Sequence, residues 1–473
     1  MLKKEERLTP YLFFCISTIS IASFQDGFQI GCINAPAPLI IEFIKYSHFT
    51  LFGTVLSRYN ADFVWSVAVS MFSVGAMLGS LFAGMLADKF GRRATLLYNN
   101  VIALLAAGLL ATSKPFNFYP LIVLGRFCVG LNCGVTSGLV PMYLTELAPS
   151  NLRGKCGSFH QLNISIAIVF SQALGLPYIF GTAERWPLIF GFIAIPAILQ
   201  SILILCCTES PKFLISHKHD SVAARRVLVK LRSHENVDDE LNHMIIEAKK
   251  PHVDVSFMIL FQSPNLWPMI VSMCMMMSQQ FSGISSVTFY STLIFKRNGF
   301  TGNWPLYATL SFGCVKLVTT VCCLFMIDHP RFGRKPLHIF GLSAMCISSI
   351  FIVITLTLNN HGYEWASYAN ILFILLFVCF FAFGPGPIPW FFASEVFESS
   401  MRSKASSVAA TTNWIANWIV GLTFLPINNL IDQYAFFMYT IALAFFVFFT
   451  WKYVPETKGK TPAQIQREMY KQN

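Results

Sequence analysis

Charge is scarce in this sequence. Asp, Glu, Lys and Arg make up 12% of its 473 residues, while 55% are hydrophobic; an ordinary soluble domain carries about 25% charged residues. That shortage excludes a water-soluble globular protein and makes lipid the main solvent. Acids are scarcer than bases, 23 against 34, for a net charge of +11. The excess does not mark a nucleic-acid binder, because the basic residues cluster between apolar runs on one alternating set of loops, as membrane orientation requires. The 13 cysteines show neither a disulfide framework nor zinc-type spacing. They are scattered through apolar runs, with vicinal pairs at Cys206-Cys207 and Cys322-Cys323, and read as small apolar filler. No nucleophile–base set and no metal cluster occurs, so no catalytic residue, metal or cofactor is expected and the chain does not read as an enzyme. No cleavable leader is expected either. The apolar run from Tyr11 to Ile33 is too long for the core of a signal peptide and is expected to remain as the first span. The one Asn-X-Ser/Thr sequon, Asn163-Ile164-Ser165, falls inside a predicted span.

What the chain has instead is long apolar runs, rich in phenylalanine, which occurs 46 times. Crossing the hydrocarbon takes about 20 apolar residues as a helix. Twelve runs qualify: Pro10–Ile33, Val64–Ala87, Thr95–Thr112, Tyr119–Leu144, Gly157–Phe180 and Pro187–Cys207, then Pro268–Ile294, Pro305–Ile327, Leu337–Leu358, Tyr368–Phe392, Ser406–Ile427 and Ala435–Tyr453. The fold class is therefore all-α integral membrane, with twelve transmembrane helices, six in each half. The polar stretch Thr208 to Val255 is the linker, and within it Ala223 to Arg232 reads as an amphipathic helix. The expected units are residues 1–207, a linker at 208–255, residues 256–454 and a tail at 455–473. With the N-terminus inside, the outer loops carry only Lys45, Arg58, Lys114, Arg185, Lys296 and Arg297. Both termini and the linker are then cytoplasmic.

Motifs recur between the halves. Asp88-Lys89-Phe90-Gly91-Arg92-Arg93 joins spans two and three, and Arg331-Phe332-Gly333-Arg334-Lys335 joins spans eight and nine. Glu146 precedes Arg153 after span four as Glu395 precedes Arg402 after span ten. Glu209-Ser210-Pro211 closes the first half and Pro455-Glu456-Thr457-Lys458-Gly459 the second. Parallel repeats of this kind place a substrate site near the midplane, at the interface of the halves.

At these residues the chain resembles the facilitative glucose transporter (GLUT) family, sugar porters of the major facilitator superfamily, over essentially its whole length. Gly384-Pro385-Gly386-Pro387-Ile388-Pro389-Trp390 in span ten and Ser278-Gln279-Gln280-Phe281-Ser282-Gly283 in span seven carry the resemblance most strongly. Gly125-Arg126-Phe127, His160-Gln161-Leu162, Asn413-Trp414 and the terminal Pro-Glu-Thr-Lys-Gly add to it. The resemblance implies a major facilitator superfamily fold of two six-helix bundles, alternating access without ATP and a central sugar site. By position, Gln161, Ile164 and Ile168 would line it from the first half. Gln279, Gln280, Ile284, Ser285, Lys316, Phe381, Gly386, Trp390, Asn413 and Trp414 would line it from the second. It also implies that Arg92, Arg93, Glu146, Arg153 and Glu209, mirrored by Arg334, Glu395, Arg402 and Glu456, form ion-pair networks that close the inner side when the carrier opens outward. The plainer reading of those charges is simple orientation.

The residue types suit a sugar. Each hydroxyl is both donor and acceptor, and a primary amide offers both roles in one planar group. Gln161, Gln279, Gln280 and Asn413 are such amides, each unfavourable in lipid without a partner or a cavity. An isolated amide reads more simply as an interhelical hydrogen bond; the adjacent Gln279-Gln280 pair within the matched framework favours the cavity. Trp390 offers a flat face to the apolar side of a sugar ring. The prolines before it remove backbone donors and let the helix bend, as a gate would.

The chain also departs from the family. Asp26 stands where an aromatic residue is usual, in Gln25-Asp26-Gly27-Phe28-Gln29. Proton-coupled relatives carry an Asp at the place of Gln29, which cannot titrate. Lys316 replaces a sugar-binding amide. It lies 11 residues past Pro305, about 16 Å along a helix and near the bilayer centre, where a charge pairs or faces water. Asp26 and Lys316 are therefore expected to form an ion pair across the halves, so that one desolvation offsets the other. Met276-Met277-Ser278 replaces a Gln-Leu-Ser pattern of glucose-selective members, Ser285 an amide and Ala382 a carboxylate, while Trp390, which fructose-type members often lose, is kept. Asp328 stands three residues before Arg331 rather than beside it, which weakens that ion pair.

The expected function is facilitative uniport of a hexose such as glucose or fructose, by a monomer in the plasma membrane, with a monosaccharide and the lipid bilayer as its partners. The alternatives are a proton-coupled symporter using Asp26 and a facilitator of an anion such as urate. A non-transporting sugar receptor is disfavoured, because such receptors carry long signalling tails and about 20 residues follow span twelve here.

Overall fold

Prolines and hydroxyl caps set where the helices begin. The Thr9 hydroxyl accepts from the Leu12 amide at 3.2 Å to start α1 (Pro10–Gly31), with proline in the first turn. The computed structural model describes residues 8–149, 152–249, 257–297, 299–327 and 333–471. The first half continues with α2 (Ala37–Phe52), α3 (Arg58–Phe90), α4 (Arg92–Thr112), α5 (Pro120–Leu147), α6 (Arg153–Leu174) and a sixth span divided into α7 (Trp186–Gly191) and α8 (Ala194–Ile204). The linker folds as α9 (Pro211–Ser216), α10 (Ser221–Arg232) and α11 (Asp238–Lys249). The second half comprises α12 (Leu266–Phe281) and α13 (Ile284–Arg297), which together make span seven, then α14 (Trp304–Ile327) and α15 (Arg334–Asn360). Span ten is divided into α16 (Trp365–Phe383) and α17 (Ile388–Val396), and α18 (Ser399–Ile431), α19 (Ala435–Tyr453) and α20 (Pro462–Lys471) complete the chain.

Among the described residues, eight helical runs are long and apolar enough to cross a membrane unaided, and one of them, Lys404–Tyr453, holds both α18 and α19. The three remaining spans are broken or polar. Span seven is divided at Ser282-Gly283, α6 contributes the shorter apolar stretch Phe159–Leu174, and α1 carries Gln25, Asp26 and Gln29.

Small residues allow the closest helix crossing. A Cβ placed on Gly130 of α5 would lie 2.0 Å from the Phe72 carbonyl oxygen of α3, so the two backbones touch there. Between the halves, α3 packs on α18 and α6 on α14. These are the second and fifth spans of opposite halves, the same pairing used twice, as a two-fold relation between repeats produces.

The linker is docked on the first half. Thr9 Oγ1 donates to the Leu231 carbonyl at 2.7 Å, and Arg232 donates to the Leu147 carbonyl at 2.9 Å while pairing with Glu240 at 2.7 Å. At the other end, α20 lies against α17: Ile465 and Met469 are fully buried, and Gln466 Nε2 donates to the Val396 carbonyl at 3.1 Å.

Candidate functional site

Two helix breaks build the site. Gly283, with φ of +90°, ends the turn between α12 and α13, and a Cβ there would meet the Tyr439 ring at 2.6 Å. The Gly384–Pro387 break between α16 and α17 leaves carbonyls without helical donors. Gln279 Nε2 bridges the two breaks, donating to the carbonyls of Pro385 at 3.2 Å and Gly386 at 2.5 Å.

From there a continuous polar chain crosses the membrane interior. Asn413 Nδ2 donates to Gln279 Oε1 at 2.7 Å, and Gln280 Nε2 donates to Asn413 Oδ1 at 2.9 Å. Gln280 Oε1 accepts from Ser285 Oγ at 2.5 Å and from Asn417 Nδ2 at 3.0 Å. Ser73 Oγ of α3 closes the chain on Asn417 Oδ1 at 2.5 Å. Gln279, Gln280, Ser285 and Asn413, all expected at the site, are thus brought together, and all are buried. Asn417 and Ser73 were not read from the sequence. Asn417 carried a signal, lying four residues after Asn413 and so on the same helix face.

The other expected residues are placed around this cluster. Trp414 packs edge-on to Phe72, its buried Nε1 without a partner. Ile284 is buried beside the break. The half-buried Phe381 ring lies 3.0 Å from where a Gly386 Cβ would stand. Ile164 and Ile168 form the seam with α1, where Gly27 and Gly31 press on their backbones, and Ile168 is fully buried. Gln161 and Trp390 are exposed and make no hydrogen bond to the cluster among the described residues.

The expected pair between Asp26 and Lys316 does not form. Helix α1 packs on α6, and α6 in turn packs on α14, so a whole helix stands between the two charges. Asp26 is buried beside the Cys133 thiol, with Oδ1 unpartnered. Nearby, Arg126 is buried against the Phe72 ring and donates to the Gln29 carbonyl at 3.1 Å, while its Nε and Nη2 have no partner. Gln29 Nε2 donates to Asn132 Oδ1 at 3.2 Å.

On the linker face the acid–base sets repeat almost atom for atom. Glu209 accepts from the amides of Arg92 at 2.9 Å, Arg93 at 3.2 Å and Ser210 at 2.9 Å. Glu456 accepts from the amides of Arg334 at 2.8 Å, Lys335 at 3.2 Å and Lys458 at 3.0 Å. Arg92 grips Glu146 at 2.9 and 3.0 Å, and Arg334 approaches Glu395 at 3.4 Å. Each carboxylate of the first kind caps a helix start. Burial pushes the Glu209 carboxyl above the ordinary glutamate range, although those amides pull it down. Arg402 departs from the expected network, reaching the Phe397 carbonyl at 3.5 Å instead. The side chain of Arg153 and the residues Asp328 and Arg331 lie outside the described residues.

Every one of these ion pairs lies within one half. The bridges between halves sit at mid-depth or on the opposite face. There Asn34 Nδ2 donates to the Thr288 carbonyl at 2.8 Å and to Ser291 Oγ at 2.6 Å, Asn34 Oδ1 accepts from the Thr292 amide at 3.0 Å, and Asn429 Nδ2 donates to Asp62 Oδ2 at 3.1 Å. Among the described residues the halves are thus bridged opposite the linker and at mid-depth, and by none of these ion pairs on the linker face.

Twelve spans in two repeats, bridged on one face around a midplane polar cluster, define a secondary transporter of the major facilitator type. The profile described as "Sugar (and other) transporter" matches residues 15–469, and the chain belongs to that family. A Caenorhabditis elegans protein described as a facilitated glucose transporter homolog is 68% identical, covering 98% of this chain and 91% of the relative. The chicken solute carrier family 2, facilitated glucose transporter member 1 is 39% identical over 97% of this chain and 93% of its own. Among solved structures, the inward-open xylose transporter XylE from E. coli superposes with a TM-score of 0.79 at 25% identity, covering 97% of this chain and all of that one.

Proposed function

We propose that the protein is a facilitative uniporter of a hexose such as glucose or fructose, working by alternating access. The amide cluster carries the reading. Gln279, Gln280, Asn413 and Asn417 present donors and acceptors in one plane-rich patch where a polyhydroxylated ring can exchange partners with them. The C. elegans and chicken relatives are described as facilitated glucose transporters, which supports the same substrate class. The linker face is cytoplasmic, as the basic loops require, so the present conformation is inward-facing. The unit of function is a monomer in the plasma membrane, with residues 1–207 and 256–454 rocking about the cluster and the linker at 208–255 riding on the first unit.

Purified protein in liposomes tests this. Labelled D-glucose or D-fructose should equilibrate and not accumulate above its gradient. A second reading, proton symport, is favoured by one observation, the unpartnered oxygen of buried Asp26, and by relatives described as proton:xylose symporters. Collapse of an imposed pH gradient should leave uptake unchanged; loss of uptake on collapse would establish the second reading instead.

A further inference from the structure

Helix α14 turns one face toward the other helices of the interface. On it, the Thr309 hydroxyl meets Ser291 and Thr292 of α13 at 3.1 and 2.9 Å, Gly313 presses on the Gln172 amide of α6, and Thr320 meets Ser165 of α6 at 3.2 Å. Lys316 lies three residues after Gly313 and four before Thr320, on that same face. Thr309, Gly313 and Thr320 are buried, yet Lys316 is only half-buried. Its exposure is therefore to the space between the halves and not to lipid.

Among the described residues no acid neutralises this ammonium. Helices α6, α12, α13, α14, α16 and α18 contain no Asp or Glu. Glu395 of α17 is engaged by Arg334 and Thr457, and Asp26 lies beyond α6. Among the described residues Lys316 makes no ion pair. On the face opposite the linker, a cleft of about 420 Å³ is lined by residues of α13 and α14, and among the described residues Lys296 is the charged side chain in its wall. Among the described residues both the cleft and the cavity at Lys316 thus carry positive charge without a compensating acid.

We propose that the cavity takes a sugar acid: a monosaccharide whose hydroxyls are read by the amide cluster and whose carboxylate lies against the Lys316 ammonium. This rests on the hexose-transport reading of the same cavity and narrows its substrate class. A fixed positive charge in a water-poor site favours an anion and disfavours cations.

Liposomes holding the purified protein are offered labelled D-glucuronate and labelled D-glucose. Glucuronate should enter, and faster under an inside-positive potential, because its uniport carries net charge; glucose entry should not respond to potential. A charge-assisted hydrogen bond is worth about 1.5–3 kcal/mol, so Lys316→Gln should lower the ratio of glucuronate to glucose uptake about tenfold or more. Lys316→Arg, which keeps the charge, should hold the ratio within a few-fold and shows that the position tolerates substitution. Glucose uptake without glucuronate uptake overturns the proposal and leaves the hexose reading standing, as does an unchanged ratio in Lys316→Gln. Uptake of neither sugar overturns both.

Discussion

Gln280 holds the polar cluster together. Its carbonyl oxygen takes two donors, Ser285 and Asn417, and its amide nitrogen donates to Asn413 and Gln279. Gln280→Leu strands buried donors, each costing about 1–3 kcal/mol. Hexose uptake is expected to fall about tenfold or more while the protein still elutes as a folded species; uptake at the parent rate would remove Gln280 from the site. Glu209 makes a different prediction. Its carboxyl holds a proton more tightly in the fold than the 4.5 of an ordinary glutamate. Its contribution to stability is therefore present below 4.5 and is lost as pH rises through the raised folded value. Thermal midpoints of detergent-solubilised protein measured across that window should fall less steeply for Glu209→Gln than for the parent. At this scale the sequence displayed the residue types but not their partners. The amides stood out as polar groups in apolar runs, whereas the intervening helix that parts Asp26 from Lys316 is a matter of packing that charge and depth do not encode. Ser73 was unreadable for the same reason: a lone serine in a span has no pattern.

The elements carry their own tests. Asn34 makes three hydrogen bonds across the halves on the face opposite the linker. Asn34→Leu removes them, and at about 1 kcal/mol net per bond the balance of states should shift roughly tenfold or more toward opening on that face. Labelling of a cysteine placed at Thr292 reports the shift; unchanged labelling would mean the bridge does not hold the closed state. At the crossing of α3 and α5, Gly130→Leu forces a side chain into the Phe72 carbonyl. Overpacking of about 1–3 kcal/mol or more should lower the thermal midpoint measurably, and a midpoint within error of the parent would argue against so close a crossing. Hydropathy located the spans to within about seven residues at each end because lipid demands length and apolarity together. It ran three of them across their breaks, since Gly283, the Gly384–Pro387 turn and the Phe192-Ile193 kink interrupt backbone hydrogen bonding without interrupting the apolar run. Helices α2 and α20 escaped notice because one mixes polar residues into an outer loop and the other is short and charged, gaining its order from burial of Ile465 and Met469.

For the molecule as a whole, the paired carboxylate clamps and the doubled contact of second with fifth spans show two bodies of one design. They are held together on one face by a few side-chain hydrogen bonds and on the linker face by none among the described ion pairs. A carrier so joined can exchange its open face by rigid-body rocking, since no strong interaction has to be broken wholesale. The amide cluster adds a consequence for the energetics of the cycle. When no substrate is present, its donors and acceptors already satisfy one another. A sugar arriving there swaps partners nearly one for one, so binding is weak, close to athermal and quickly reversed. Within the cluster the vacant protein meanwhile keeps no stranded amide that would hold it on one side. Turnover without cargo should therefore be about as easy as turnover with it, and equilibrium exchange of labelled sugar should run little faster than net efflux.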